Sequence, residues 1–368
     1  MKKRSMMAKG KRLTALILAL AMAGVLTAGC GKTVPAAKEK NRSVMLSDGY
    51  EVKGLPDKID RIAALFGPSY ERLYVLNAED KIVDCSDFHK SAWPWSHLIY
   101  KRVDSADVHE VKNASKGLNV EEIAGQDLDV VFYWRNEEVL KALDNVGLAA
   151  VPYNTNGGTD SIKQELNAYA QVLNTDEAKT INSSYADYFD RKLAAVKEVT
   201  DKIPDSEKKT VYYSRSKLLT TFGKDSDIID VCRDAGGKPV TENLPGSSSV
   251  DTDREQLTAW NPDFIFIDHT DNAQGEVDKL LSDADYSGLN AVKNRNAYAV
   301  PVGTFYWDAG VQMILLVEWM AKTMYPDRFP DLDMKAELKD FYKQFYRFDL
   351  TDEQAEMILS NENPSSAK

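Results

Sequence analysis

The sequence predicts an α/β protein of two lobes joined by one long, rigid helix. Three observations carry that prediction. Thr159 to Ile203 is a run of 45 residues without Gly or Pro, bounded by Gly157-Gly158 before it and Pro204 after it, so nothing inside interrupts a helix. Within it Ala178, Ile181, Tyr185, Tyr188, Phe189, Leu193, Val196, Val199 and Ile203 recur at steps of three and four, the spacing of a single apolar helix face. On both sides of this run, strand-length apolar segments alternate with helical ones, the pattern of parallel sheets.

The long helix starts at Thr175, which can cap its first free N–H groups, and Asp176 and Glu177 suit the positive end of the dipole. Pro204 marks its stop. At about 1.5 Å per residue it spans roughly 40 Å, the length of a whole domain.

The chain begins with Lys2, Lys3, Arg4, Lys9, Lys11 and Arg12 and no acid, then an apolar run from Leu13 to Ala23, then Leu26-Thr27-Ala28-Gly29-Cys30. A basic head, a short apolar core and small residues before a cut make a secretory signal over residues 1–29. The ending resembles the lipobox of bacterial lipoproteins, which implies cleavage before Cys30 and a lipid on its thiol. The alternative is an uncleaved anchor with an incidental Cys, against which the shortness of the apolar run argues. Residues 30–54 are polar and predict a flexible tether.

Removal of residues 1–29 takes away six positive charges and no negative ones, so the net charge moves from −11 to −17. An acidic exported chain has no electrostatic case for nucleic acid or anionic lipid. Cys85 and Cys232 fall in different lobes, so a disulfide between them would staple the cleft; two separate buried thiols are the other reading, and the favoured one.

The N-terminal lobe is expected over residues 55–158. Asp60 to Phe66 is a first strand, Ser69 caps a helix through Ala78, and Lys81 to Cys85 is a second strand. After an aromatic-rich insertion from Ser86 to Lys116, Asn119 caps a short helix; Leu128 to Tyr133 is a third strand, a helix starts near Asn136, and Leu148 to Tyr153 is a fourth strand. The C-terminal lobe, residues 204–360, repeats the scheme. It has strands at 210–213, 264–267 and 297–300, helices at 227–235, 253–260 and 307–324, and two final helices near 335–346 and 352–360, before a tail at 361–368.

Ligand groups of such sheets gather in loops beyond the carboxyl ends of the strands. These loops deliver Tyr70, Trp93, Trp95, Trp134 and Arg135 from the first lobe, and Arg215, Phe222, His269, Tyr306 and Trp307 from the second. Aromatic walls with a few Arg suit a large, flat or anionic ligand through stacking, cation–π contact and bidentate hydrogen bonds. The competing reading of each is ordinary packing within a lobe. A bare transition-metal site would want about three His and a carboxylate, but His89, His97 and His109 sit in one hydrophilic insertion without helical pairing, which leaves His269 as the exception. No nucleophile elbow, Cys–His pair or phosphate-cradling Gly loop is present.

The motifs in order resemble a known family. Asp60-Arg61-Ile62, Gly67-Pro68-Ser69-Tyr70-Glu71, Val120-Glu121-Glu122 before Leu128-Asp129-Val130-Val131, Ala235-Gly236-Gly237, Glu255-Gln256-Leu257, Trp260-Asn261-Pro262-Asp263, Ala291-Val292-Lys293 and Pro301 to Phe305 are similar to those of iron-complex/vitamin B12 substrate-binding proteins of ABC importers. The likeness covers about residues 55 to 360. It implies two Rossmann-like lobes on a backbone helix, the class III periplasmic-binding-protein architecture. It also implies a non-enzymatic, lipid-anchored, monomeric receptor on the extracytoplasmic face of the bacterial membrane, without a cofactor of its own, that hands a metal chelate to a permease and its ATPase subunits. By position in the motifs, Glu71 and Glu255 are expected to pair with Arg residues of that permease.

The expected cargo is an iron(III) chelate of siderophore type, with Arg135 and Arg215 on its acidic groups and Trp134, Tyr306 and Trp307 on its faces. The same family also leaves a corrinoid (cobalamin) or haem open. Readings from other classes are a free transition-metal receptor using His269 and a secreted hydrolase, for which Asp84, Asp268 and Asp308 are the candidate acid/base carboxylates.

Overall fold

The computed structural model describes residues 38–87, 94–153, 158–247, 249–270 and 272–364. The predicted signal, Cys30 and Trp93 lie outside the described residues. The segment expected to be a tether departs from expectation at its C-terminal end. Strands β1 (Arg42–Met45) and β2 (Glu51–Leu55) form an antiparallel hairpin. Val44, Leu46, Val52 and Leu55 are buried beneath it, and Arg42 donates to the carbonyls of Pro56 and Val172. Four buried apolar side chains tie this stretch to the first lobe.

The N-terminal lobe follows as β3 (Ile62–Ala64), α1 (Ser69–Val75), β4 (Ile82–Ser86), α2 (Pro94–Ile99), β5 (His109–Val111), α3 (Val120–Ala124), β6 (Val130–Tyr133), α4 (Glu137–Asn145) and β7 (Ala149–Pro152). Its sheet runs β5-β4-β3-β6-β7 and every pair is parallel. Asn119 and Asn136 cap α3 and α4 through their side chains. Ser69, expected as a cap, is instead the first residue of α1; Pro68 holds the cap position and the Ser69 hydroxyl donates to Phe66 O at 2.5 Å.

Two helices link the lobes, α5 (Ser161–Leu173) and the backbone helix α6 (Asp176–Thr200). Thr175 accepts from Ala178 N as the N-cap of α6, and 25 residues make about 37 Å at helical rise. Its buried face is Ala178, Tyr185, Tyr188, Phe189, Val196 and Thr200.

The C-terminal lobe holds β8 (Thr210–Arg215), β9 (Lys217–Thr221), α7 (Asp227–Asp234), β10 (Lys238–Pro239), β11 (Val250–Asp251), α8 (Arg254–Trp260), β12 (Phe264–Asp268), α9 (Ala273–Ser282), α10 (Asn290–Lys293) and β13 (Ala297–Ala299). The order is β11-β9-β8-β12-β13, with β10 also beside β8. β8, β12 and β13 are parallel as in the first lobe. β9 departs from this: it turns straight back on β8 through Ser216 at φ +65° and pairs antiparallel, a tight hairpin that needs a left-handed residue, and β11 in turn pairs antiparallel with β9.

The last helices, α11 (Met313–Met324), α12 (Met334–Phe341) and α13 (Asp352–Leu359), close the molecule. The helix expected from Trp307 starts only at Met313. The chain after α12 returns to the first lobe: Tyr74 OH donates to Tyr346 O at 2.7 Å, and Arg347 donates to Val75 O at 3.2 Å. One continuous core therefore contains Leu73 and Val75 of the first lobe, Tyr185 and Tyr188 of α6, and Ile314 and Phe345 near the C-terminus.

Candidate functional site

The two sheets turn the carboxyl ends of their strands toward a common cleft of about 640 Å3. The first lobe contributes Phe66 and Pro68 after β3, Trp134 and Arg135 after β6 and Tyr153 after β7. Phe66 organises this wall. Its ring stacks on Tyr153 at 4.1 Å and meets the edge of Trp134 at 4.3 Å, and Trp134 remains 38% exposed, available to a ligand face. The Arg135 guanidinium lies 5.5 Å from the Tyr50 ring centroid and pairs with Asp48. Both of those partners come from the β1–β2 hairpin.

The second lobe contributes Arg215, Phe222, the Asp225-Ser226-Asp227 turn that opens α7, His269 after β12, and Tyr306 and Asp308 after β13. His269 has φ +55°, an uncommon conformation for a side-chain-bearing residue and one that turns the ring away from the strand. The ring stacks on Tyr306 at 3.9 Å, and Nε2 lies 2.7 Å from Asp308 Oδ1. Arg215 sits 5.7 Å from the Phe222 ring and donates to Ser249 Oγ at 2.7 Å.

Burial acts on the charges here. Desolvation alone would lower the His269 pKa, but the carboxylates of Asp308 and Asp268 outweigh it and raise the pKa above its ordinary value. Asp268 is pushed up to about 6 by burial and by Asp308, and Asp227 to about 6 by burial. The lining holds three basic groups, Arg135, Arg215 and His269, and three acidic ones, Asp225, Asp227 and Asp308, with Asp48 beside Arg135 as a further acid. The cleft is close to charge-balanced.

Asp268, His269 and Asp308 bring potential metal-ligand atoms within 4.8 Å of one another. Those atoms already serve each other. Asp268 accepts from Tyr213 OH at 2.6 Å and from the His269 backbone N at 2.7 Å, and His269 Nε2 faces Asp308, so each of the three side chains already has a hydrogen-bond partner. Asp84, the third carboxylate of the hydrolase reading, is buried in β4 beside His109 and does not line the cleft.

Six predicted site residues meet in the cleft: Trp134, Arg135, Arg215, Phe222, His269 and Tyr306. Three others do not. Tyr70 is buried, stacks on Tyr100 at 5.1 Å and donates to Glu79. Trp95 is buried and donates Nε1 to Glu362 O at 3.0 Å. Trp307 is fully buried behind Tyr306 in sequence, in the shared core. Tyr70 and Trp95 lie on short helices, α1 and α2, and Trp307 on a loop; all three rings turn inward, because a large apolar surface gains more from a core than from a half-wet rim.

The docking expectation for Glu71 also needs correction. Glu71 is 1% exposed and is held by Thr304, Val311, Gln312 and Tyr346, out of reach of a partner. Glu255 is exposed in the first turn of α8. Sequence reasoning passed over the Asp225-Ser226-Asp227 turn, which reads as a helix cap, and over Asp48, which lay in the supposed tether.

A family model described as "Periplasmic binding protein" matches residues 62–302, about two thirds of the chain. The chain belongs to that family. It is a solute-binding component of an ABC transporter, not an enzyme. Similar proteins include the molybdate-binding protein MolA of Haemophilus influenzae, 25% identical over 254 residues that make up 62% of this chain and 70% of MolA. Among solved structures, a periplasmic solute binding protein of Veillonella parvula aligns with TM-score 0.71 at 27% identity, covering 86% of this chain and 96% of its own. An ABC-type Fe3+-hydroxamate transport protein of Saccharomonospora viridis shares the fold, with TM-score 0.61 at 15% identity and coverage of 77% and 98%. The binding protein thus has the expected architecture of two α/β lobes on a backbone helix.

Proposed function

We propose that this binding protein captures an iron(III) chelate of siderophore type, of low net charge, and delivers it to an ABC permease from a lipid anchor on Cys30. The observation that carries the reading is the pairing of aromatic walls with balanced charge: Trp134, Tyr153, Tyr306 and Phe222 offer ring faces, while Arg135, Arg215 and His269 are each set against a carboxylate or a ring. A volume of about 640 Å3 suits a ligand of drug size. A highly anionic catecholate complex would meet Asp225, Asp227 and Asp308, and a bare oxyanion such as the molybdate of the MolA name would leave most of the space unfilled.

Docking to the permease is proposed through a symmetric pair of acids. Helices α3 and α8 occupy equivalent places, each leading into the strand that flanks the central one, β6 and β12. Asn119 caps α3 at Glu122 N as Asp253 caps α8 at Gln256 N, and Ile123 and Leu257 are the buried anchors. Glu121 then matches Glu255, both exposed in the first turn. In this pair Glu121 takes the place expected for Glu71, and Glu255 is kept.

The test is intrinsic fluorescence of the full chain, titrated separately with a ferric trihydroxamate, a ferric tricatecholate, molybdate, haem and cyanocobalamin. Saturable quenching by the trihydroxamate, lost in Trp134→Phe, supports the reading; a response to haem or cyanocobalamin alone replaces the cargo, and a response to molybdate alone replaces the class.

A further inference from the structure

The loop from Gly303 to Gln312 carries Tyr306 and Asp308, the two side chains that hold His269 in the cleft. It belongs to the C-terminal lobe, yet its anchors come from elsewhere. Glu71, on α1 of the N-terminal lobe, accepts from Thr304 Oγ1 at 3.1 Å, Val311 N at 3.0 Å and Gln312 Nε2 at 3.2 Å, and from the Tyr346 hydroxyl. Its neighbour Arg72 donates to Ala309 O at 3.2 Å, and Tyr185 of the backbone helix donates to Val311 O at 2.8 Å. The approach is close enough to dictate sequence: a Cβ on Gly310 would lie 2.8 Å from Glu71 Oε2, well inside contact distance.

We propose that Glu71 is a positioning residue for the ligand site, setting the C-terminal wall of the cleft from the opposite lobe by fixing the loop that presents Tyr306 and Asp308. Both carboxylate oxygens are used and both ends of the loop are covered, Thr304 before the ligand-facing residues and Val311 and Gln312 after them. A carboxylate meeting donors from the loop and from Tyr346 is a buried network in which every hydrogen bond depends on the others. Loss of one oxygen's charge therefore frees the loop as a unit, while Tyr306 and Asp308 themselves are untouched. The inference rests on the reading of the cleft as the ligand site, but its test needs no ligand.

The test follows the His269 ring by NMR in the full chain labelled at histidine Cε1, with His269→Gln assigning the signal. In Glu71→Gln and in Tyr346→Phe the His269 titration midpoint is expected to fall by about half a pH unit or more, because Asp308 withdraws from Nε2. Leu143→Ala, in the separate core on the other face of the first sheet, is expected to lower stability through a buried cavity and to leave the midpoint in place. If Glu71→Gln fails to fold, Tyr346→Phe and Thr304→Val carry the same expectation. An unchanged His269 midpoint in the folded variants, whatever their melting temperature, overturns the proposal and leaves Glu71 a structural acid.

Discussion

Arg72 Nη2 lies 2.5 Å from Glu165 Oε2 with both side chains buried, joining α1 of the first lobe to α5 of the link. Arg72 also donates to Pro68 O and Ala309 O, so a single guanidinium touches both lobes and the helices between them. Burial raises the Glu165 pKa to about 7 against the opposing pull of Arg72. Such a pair is costly to break from one side, since the partner is left charged in a dry site.

Arg72→Met is expected to destabilise the protein by about 3–5 kcal/mol, and Arg72→Met with Glu165→Gln by clearly less. The sign with pH follows from the direction of the shift. A carboxyl group whose folded pKa is raised favours the folded state at pH below its unfolded value, and that advantage is lost as pH rises toward 7. Urea unfolding at pH 5 and pH 8 checks both: the single variant is expected to recover part of its loss at pH 5.

Glu318 on α11 makes a second pH prediction. It is buried beside Lys192, Glu337 and Asp340, with one oxygen lacking a partner, and desolvation pushes its pKa up to about 8. Stability is therefore lost as pH rises toward 8. Glu318→Gln is expected to match the wild type near pH 4 and to exceed it by a margin that grows as pH rises toward 8, to about 2 kcal/mol or more, and then levels off, read from melting temperature against pH.

Trp134→Ala and Arg135→Ala are each expected to weaken binding of the cognate chelate about tenfold, from lost ring contact and cation–π attraction. Both side chains stand at the cleft with substantial exposure, so melting temperatures should move little. Isothermal titration together with thermal unfolding separates the two effects.

Glu121→Ala with Glu255→Ala is expected to leave chelate binding unchanged and to abolish uptake in cells that depend on this transporter. Uptake at the wild-type rate would remove the two helix-start acids from the docking surface.

What the sequence made legible was local. The backbone helix could be read because Thr175, the periodic apolar face and Pro204 all act within a few residues of their effects, and the parallel strands of the first lobe because their apolar runs are continuous. The β1–β2 hairpin was hidden: its strands are four and five residues long and interrupted by Arg42, Ser43, Glu51 and Lys53, and the burial of Val44 and Val52 comes from a neighbouring lobe. The same limit governs the site. Strand ends placed Trp134, Arg135, His269 and Tyr306 correctly at the cleft, whereas the inward turn of Trp95 and Trp307 and the burial of Glu71 depend on partners such as Glu362 and Tyr346, hundreds of residues away. Nothing near a side chain in sequence reports which way a loop ring will face.

The most direct test of the account compares two ferric complexes of similar size and different charge on the full chain by calorimetry. An uncharged ferric trihydroxamate is expected to bind at least about tenfold more tightly than a trianionic ferric tricatecholate, a difference of about 1.4 kcal/mol, because the lining carboxylates balance Arg135, Arg215 and His269. Tighter binding of the trianion, or binding of neither complex, would contradict a cleft built for an iron chelate of low charge.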